Sequence, residues 1–224
     1  MPTHGFLPET EMAVKSLSDN AVCYYLRDNE FTIKEYPFHF ELQISFFLKG
    51  SNLYITYEVR NAGDKRMFFG IGGHPGFCVP LEDNLSFEDY YIEFTEKCTP
   101  LLVDLSERNN VTGIETEYNL VDNQILPLRH ELFNKGAVML RNTCRRLKLK
   151  SSQGTKNVEI YFPDMPYVGF WHAIKTDAPY LCIEPWSSLP PRDGIIEEIS
   201  TQSGLITLEP DGVYLNQWSI VIHP

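Results

Sequence analysis

The sequence predicts a mainly β protein built from antiparallel sheets. Three observations carry that prediction. Apolar and polar residues alternate with period two in several runs, turn residues separate consecutive runs, and helix-length amphipathic segments and a βαβ rhythm are missing. A chain of 224 residues is long enough for two packed sheets. All-β sandwiches and barrels commonly run to about 200–250 residues as one unit. No internal repeat or linker interrupts the pattern, so residues 1–224 are read as a single domain.

Asp28-Asn-Glu-Phe-Thr-Ile-Lys-Glu35 predicts one or two helical turns before Pro37, with Asp28 or Asn29 as the cap. Phe38, Phe40, Leu42, Ile44 and Phe46 then alternate with His39, Glu41, Gln43 and Ser45, which puts the apolar set on one strand face. The turn Lys49-Gly-Ser-Asn52 follows, and Leu53, Ile55, Tyr57 and Val59 alternate in the same way. Two such runs around a Gly-containing turn make a hairpin with one wet face. Leu85–Tyr91 is read as a second short helical piece. Leu147–Lys150, the turn Ser151-Ser-Gln-Gly154 and Val158–Phe162 form another hairpin, with Arg145 and Arg146 on its solvated side. Runs at Leu205–Leu208 and Tyr214–Ile222, joined through Pro210-Asp-Gly212, end the chain as strands.

Composition narrows the class of function. Hydrophobic residues make up 43% of the chain, which excludes disordered and fibrous classes. Nineteen basic against thirty acidic residues give a formal net charge of −11. A nucleic-acid binder needs a basic face to neutralise phosphates, and the few basic residues here are scattered. A neutral or cationic small molecule is the expected partner, with no nucleic acid and no membrane. The five cysteines (Cys23, Cys78, Cys98, Cys144 and Cys182) are odd in number, widely spaced and without a CxxC pair. They predict neither a zinc site nor a disulfide framework, and a reducing compartment suits them. The start, Met1-Pro-Thr-His-Gly-Phe6, has neither the basic stretch nor the apolar run of a signal peptide. No run approaches the roughly 18 apolar residues of a membrane span. These features together predict a soluble, cytoplasmic protein.

Three clusters set reactive groups among Gly, Pro and aromatic residues: Thr3-His-Gly-Phe6, Gly70-Ile-Gly-Gly-His-Pro-Gly-Phe77, and Cys182-Ile-Glu-Pro-Trp186, with Phe170-Trp-His172 upstream of the last. His74 is either a turn histidine bonded to a nearby carbonyl or a functional imidazole in a stretch where small residues allow close approach. Glu184, between Ile183 and Pro185, reads as a carboxylate on a buried strand. Such a group is either paired with an arginine or poised by desolvation as a general base. Trp171 and Trp186 are either core residues or stacking platforms, and His4 sits close to the start of the chain. There is no HExxH, GxSxG or P-loop pattern, and the histidine spacing does not resemble a metal site.

Taken in order, several segments resemble the aldose 1-epimerase (galactose mutarotase-like) family, in its LacX-like branch. They are His4-Gly-Phe6, Tyr36-Pro-Phe38, Asn61-Ala-Gly-Asp64, Ile71–Phe77, Glu131-Leu-Phe133, Pro166–Trp171 and Ile183-Glu-Pro-Trp186. The resemblance covers essentially the whole chain. It implies an antiparallel β-supersandwich with a sugar-binding cleft and an isomerase that needs no metal or organic cofactor. By the same resemblance Glu184 falls at the general base, His74 at the general acid and His4 at a second histidine that helps hold the sugar. Trp171 and Trp186 are taken as further substrate-binding residues.

Two departures from the family pattern are visible. The family usually carries a longer segment before His-Gly-Phe, including an arginine that contacts the sugar, whereas here that motif begins at His4. The expectation is a chain lacking that segment, with weakened activity and an open sheet edge that a homodimer would cover. The acidic residue that often follows Leu-Phe in the family aligns with Gly136. The leading expectation is a mutarotase acting on an aldohexose or a derivative, in carbohydrate metabolism. The alternative is a non-catalytic carbohydrate-binding protein on the same fold. A glycosidase ranks last, because no second carboxylate lies near the motifs.

Overall fold

A computed structural model describes residues 4–224. Strand accounts for 46% of it and helix for 7%, as the scarcity of helical patterning predicts. The chain divides into two compact units, one comprising residues 4–69 with Thr207–Ser219, the other Gly70–Ile206 with Ile220–Pro224.

In the first unit, β1 (Ala13–Leu17), β2 (Ala21–Arg27), β3 (Phe40–Lys49) and β4 (Asn52–Asn61) form an antiparallel meander in chain order. The β3–β4 hairpin has the predicted register. Leu42 faces Val59, Ile44 faces Tyr57 and Phe46 faces Ile55, so the alternating apolar residues share one side. Helix α1 (Glu30–Glu35) lies between β2 and β3. Its cap is Asn29, whose side chain accepts from the backbone N–H groups of Phe31 and Thr32. Phe6, Tyr36 and Phe40 pack as an aromatic cluster with ring centroids 5.8–6.0 Å apart. β5 (Met67–Phe69) closes the N-terminal part of the unit.

The second unit holds β6 (Gly76–Cys78), β7 (Tyr90–Phe94), β8 (Leu101–Leu105), β9 (Val111–Glu117), β10 (Ile125–Pro127), β11 (Val138–Arg141), β12 (Arg146–Ser151), β13 (Asn157–Tyr161), β14 (Tyr167–Trp171) and β15 (Tyr180–Trp186). Toward the end of the chain, β16 (Ile206–Leu208) pairs with β5, and β17 (Val213–His223) neighbours β4. Within the second unit one sheet has the order β6-β15-β14-β11-β8-β9. A second layer contains β13-β12-β7-β10. The two layers meet through residues such as Phe94 and Phe170, in edge-on contact at 6.4 Å between centroids. Leu140, Val168, Phe170, Leu181 and Ile183 are fully buried on the core side of the six-stranded sheet.

Two elements differ from expectation. Leu85–Tyr91 is a single 3₁₀ turn at Phe87–Asp89, closed by a Ser86–Asp89 capping box, after which Tyr90, Ile92 and Phe94 alternate inward as a strand. Arg145 and Arg146 are not a simple solvated pair. Arg145 donates to the Pro166 carbonyl at 2.9 Å, and Arg146 pairs with the buried Glu159 carboxylate, which Lys148 also reaches at 3.4 Å.

Candidate functional site

β15 carries the site because its side chains alternate. Leu181, Ile183 and Pro185 turn to the core, so Cys182, Glu184 and Trp186 share the opposite face. On the neighbouring strand β14, Trp171 stands opposite Cys182, Gly169 opposite Glu184 and Tyr167 opposite Trp186. Residues directly opposite in an antiparallel ladder point to the same side. One face therefore gathers a thiol, a carboxylate, two indoles and a phenol, with Gly169 beside the carboxylate giving room to the Met139 side chain, whose Cε would lie 3.0 Å from a Cβ there. Trp186 and Tyr167 also pack against the apolar cluster of Val103, Val111 and Met139, which floors this face.

On the other side of β15 runs the glycine-rich segment. Gly72 bridges to Trp186 and Gly76 pairs with Cys182, so His74, midway between them, falls opposite Glu184. Backbone hydrogen bonds hold this segment in place: Gly73 N–H to Pro185 O at 2.9 Å, Ile183 N–H to Pro75 O at 3.1 Å, and Ser187 N–H to Ile71 O at 3.0 Å. The Ser187 hydroxyl accepts from Ile71 N–H at 2.8 Å. The result is a His74 Nε2 to Glu184 Oε1 separation of 3.3 Å, with the imidazole 40% exposed and the carboxylate 4% exposed. The Trp171 and His74 rings meet in a T-shaped arrangement at 6.1 Å between centroids.

Burial sets the electrostatics. It pushes the Glu184 carboxyl up to about 7, against the pull of a hydrogen bond with the Trp186 side chain. The Cys182 thiol is pushed up to about 11, by burial first and by the Glu184 charge second. A carboxyl that titrates near neutrality beside a solvent-facing imidazole can pass protons in both directions. His74, Cys182 and Glu184 are also a possible metal-ligand group, since their donor atoms all lie within 4.8 Å of one another.

The structure thus gathers His74, Trp171, Glu184 and Trp186 on one face. His4 belongs to the first unit, where it is exposed at a left-handed φ of +67° ahead of Gly5 at +69°. Sequence spacing did not reveal a second histidine cluster. The His130 and His172 rings are linked Nδ1 to Nε2 at 3.1 Å, His130 stacks on Phe87, and the His130 Nε2 atom lies 3.9 Å from Glu88. Two surface hollows flank this pair. One of about 600 Å³ is lined by Glu88, Arg129, Glu131 and Leu132, and one of about 330 Å³ is bordered by His130, Asn134, Lys175 and Asp177. Neither is lined by Glu184. The chemistry favours the Glu184 face all the same, because it holds a buried carboxylate with a raised pKa and the hollows do not.

The profile of aldose 1-epimerases matches residues 1–198. The chain belongs to the aldose 1-epimerase family. Within that family it is similar to the chromosomal and plasmid LacX proteins of Lactococcus lactis subsp. lactis. Each is 28% identical over 189 residues, a match that takes in 83% of this chain and 63% of the LacX protein. The chain therefore spans less than two thirds of the length of those curated relatives. Among solved structures, a galactose mutarotase related enzyme from Lactobacillus acidophilus superposes with a TM-score of 0.92 at 26% identity, over 99% of this chain and 74% of that one. A galactose mutarotase-like protein from Lactobacillus casei gives a TM-score of 0.89 at 27% identity, over 98% and 76%. The antiparallel β-sandwich of this epimerase family is therefore the fold of this chain. None of its described helices is long and apolar enough to cross a membrane.

Proposed function

We propose that this chain interconverts the α and β anomers of an aldohexose or a derivative of one. The observation that carries the reading is the buried Glu184 carboxylate facing the half-exposed His74 imidazole at 3.3 Å. Membership of the aldose 1-epimerase family supports the reaction class.

In this reading, ionised Glu184 takes the proton of the C1 hydroxyl while protonated His74 gives one to the ring oxygen. The C1–ring oxygen bond breaks, the electron pair of the former O–H forms the C1 carbonyl, and the open-chain aldehyde results. Rotation about C1–C2 turns the other carbonyl face toward the hydroxyl that had been the ring oxygen. On closure His74 takes that hydroxyl proton back and Glu184 returns its own to the new C1 hydroxyl, so the protein ends as it began. A carboxyl titrating near 7 suits both halves of this exchange, because neither protonation state is costly to reach. Trp171 and Trp186 would wall the sugar with apolar faces.

The alternative is a carbohydrate-binding protein without catalysis. What favours it is Gly136, where the family often has an acidic residue. It sits at a φ of +120° with no atom within 4 Å of the place a Cβ would occupy. Proton NMR of freshly dissolved α-glucose and α-galactose separates the two. Anomer exchange that outpaces buffer and scales with protein concentration supports the mutarotase. Ligand-induced shifts without faster exchange would leave only the binding protein.

A further inference from the structure

We propose that His74, Cys182 and Glu184 form a binding site for one divalent transition-metal ion of the zinc class, with the fourth position open to solvent. The strand geometry makes the site. Cys182 and Glu184 are two residues apart on the same face of β15, and His74 is laid opposite Glu184 by the paired segment before β6. Their donor atoms, an imidazole nitrogen, a sulfur and a carboxylate oxygen, all lie within 4.8 Å of one another.

A tetrahedral zinc ion holds nitrogen and oxygen at about 2.0 Å and sulfur at about 2.3 Å, which spaces the donors about 3.5 Å apart. The His74–Glu184 separation of 3.3 Å already matches that spacing. The sulfur has to close by about 1.3 Å at most, within reach of side-chain rotation at the zinc–sulfur distance above. Gly76, opposite Cys182, leaves that side of the sulfur lightly covered, since even a Cβ there would only come within 3.6 Å of it. The donor chemistry selects the ion. Thiolate and imidazole suit zinc and cobalt, whereas calcium and magnesium take oxygen ligands.

Burial favours a cation as well. The Glu184 carboxylate is held away from water, and among the described residues its ion-pair partner is a histidine that is charged only when protonated. A metal would supply a fixed positive charge at that point. Three protein ligands with one side open through the exposed imidazole is the arrangement of a zinc site that keeps a water or exchanges it. Such an ion would occupy the two side chains assigned above to proton exchange, so zinc would inhibit that chemistry. The inhibition rests on the proposed function, whereas the metal site does not.

Cobalt(II) titration followed by absorption tests the site without any sugar. The expected result is saturation at one cobalt per chain, with a near-ultraviolet thiolate-to-cobalt band and tetrahedral visible bands. The near-ultraviolet band should vanish in Cys182→Ser, in which the other four cysteines remain. His74 is exposed, so His74→Ala keeps the fold and should weaken cobalt binding by more than about tenfold, since even outer-shell partners are worth 10–100-fold. The absence of a saturable thiolate band in the parent would overturn the proposal. So would a band unchanged in Cys182→Ser, or affinity unchanged in His74→Ala. Whether the chain exchanges anomers has no bearing on these outcomes.

Discussion

Gly72 meets Trp186 across an antiparallel bridge with no room for a methyl group. A Cβ on Gly72 would lie 2.7 Å from Trp186 Cδ1 and 2.8 Å from the Pro185 carbonyl oxygen. The second of these is backbone and cannot swing aside. Gly72→Ala should therefore lift the segment that carries His74 off β15 and cost about 1–3 kcal/mol, the usual penalty for overpacking. Denaturant midpoints of the two proteins check this, and a change within error would show that the segment yields freely.

Glu184→Gln keeps the shape of the side chain and removes the basic oxygen. Anomer exchange should fall by roughly 10²–10⁴ in rate. Stability at neutral pH should not fall, because burial opposes the Glu184 charge and glutamine carries none. NMR exchange rates measured beside thermal melts separate the two effects. A folded variant with parental activity would remove Glu184 from the mechanism.

His172 gives the protein an acid-sensitive point. The ring is fully buried against Phe133, its Nδ1 donates to the Ala173 carbonyl at 2.8 Å, and its Nε2 meets His130. Burial first, and His130 second, hold its pKa below the ordinary histidine value, against the pull of the Ala173 carbonyl and Asp177. The unfolded chain takes up a proton near pH 6.5, while the folded chain resists until its lower pKa. Stability is thus fully present above about 6.5 and is lost as pH falls from there through the folded value. Glu88 lies 3.9 Å from the outer nitrogen of His130, on the side of that ring away from His172. Denaturation midpoints between pH 7 and 5 should fall less steeply in His172→Gln than in the parent. Equal slopes would rule His172 out as the cause.

Asn61 ties the end of β4 to two other segments. Its amide donates to the carbonyls of Lys65 at 2.8 Å and Leu208 at 3.0 Å, and its oxygen accepts from Gly63 N–H at 3.0 Å. Asn61→Asp keeps the acceptor but removes both donors and sets a carboxylate against two carbonyl oxygens. The expected loss is about 3 kcal/mol or more at pH 7. Protonation would relieve part of it, so the gap to the parent should narrow as pH falls through the raised pKa of the new carboxyl. Chemical denaturation at neutral and mildly acidic pH tests both the loss and its direction.

How far the sequence reveals this fold depends on how many faces of a strand are buried. β3 and β4 each keep one side wetter than the other, so their period-two pattern stands out. β14 and β15 are buried on both faces, and Tyr167–Trp171 and Tyr180–Trp186 show little alternation to read. The motif residues on β15 were visible as a cluster, yet nothing in the spacing says that His74 stands opposite Glu184. That follows from the strand register, which joins segments far apart in the chain. The His130–His172 contact was hidden for the same reason. Glu159, between Val158 and Ile160, is buried because Arg146 and Lys148 of the neighbouring strand pair with its carboxylate, which the sequence pattern does not show.

The alternation along β15 also guards against misfolding. Sliding that strand by one residue against β14 would turn Leu181, Ile183 and Pro185 outward and drive Glu184 into the layer occupied by Leu140, Val168 and Phe170. An unpaired carboxylate there would cost several kcal/mol, and the shifted molecule would lose its apolar contacts as well. A chain that mispairs β15 is thus penalised twice before any substrate is met. The residue proposed to move protons would also help to enforce the alignment of the strand that presents it.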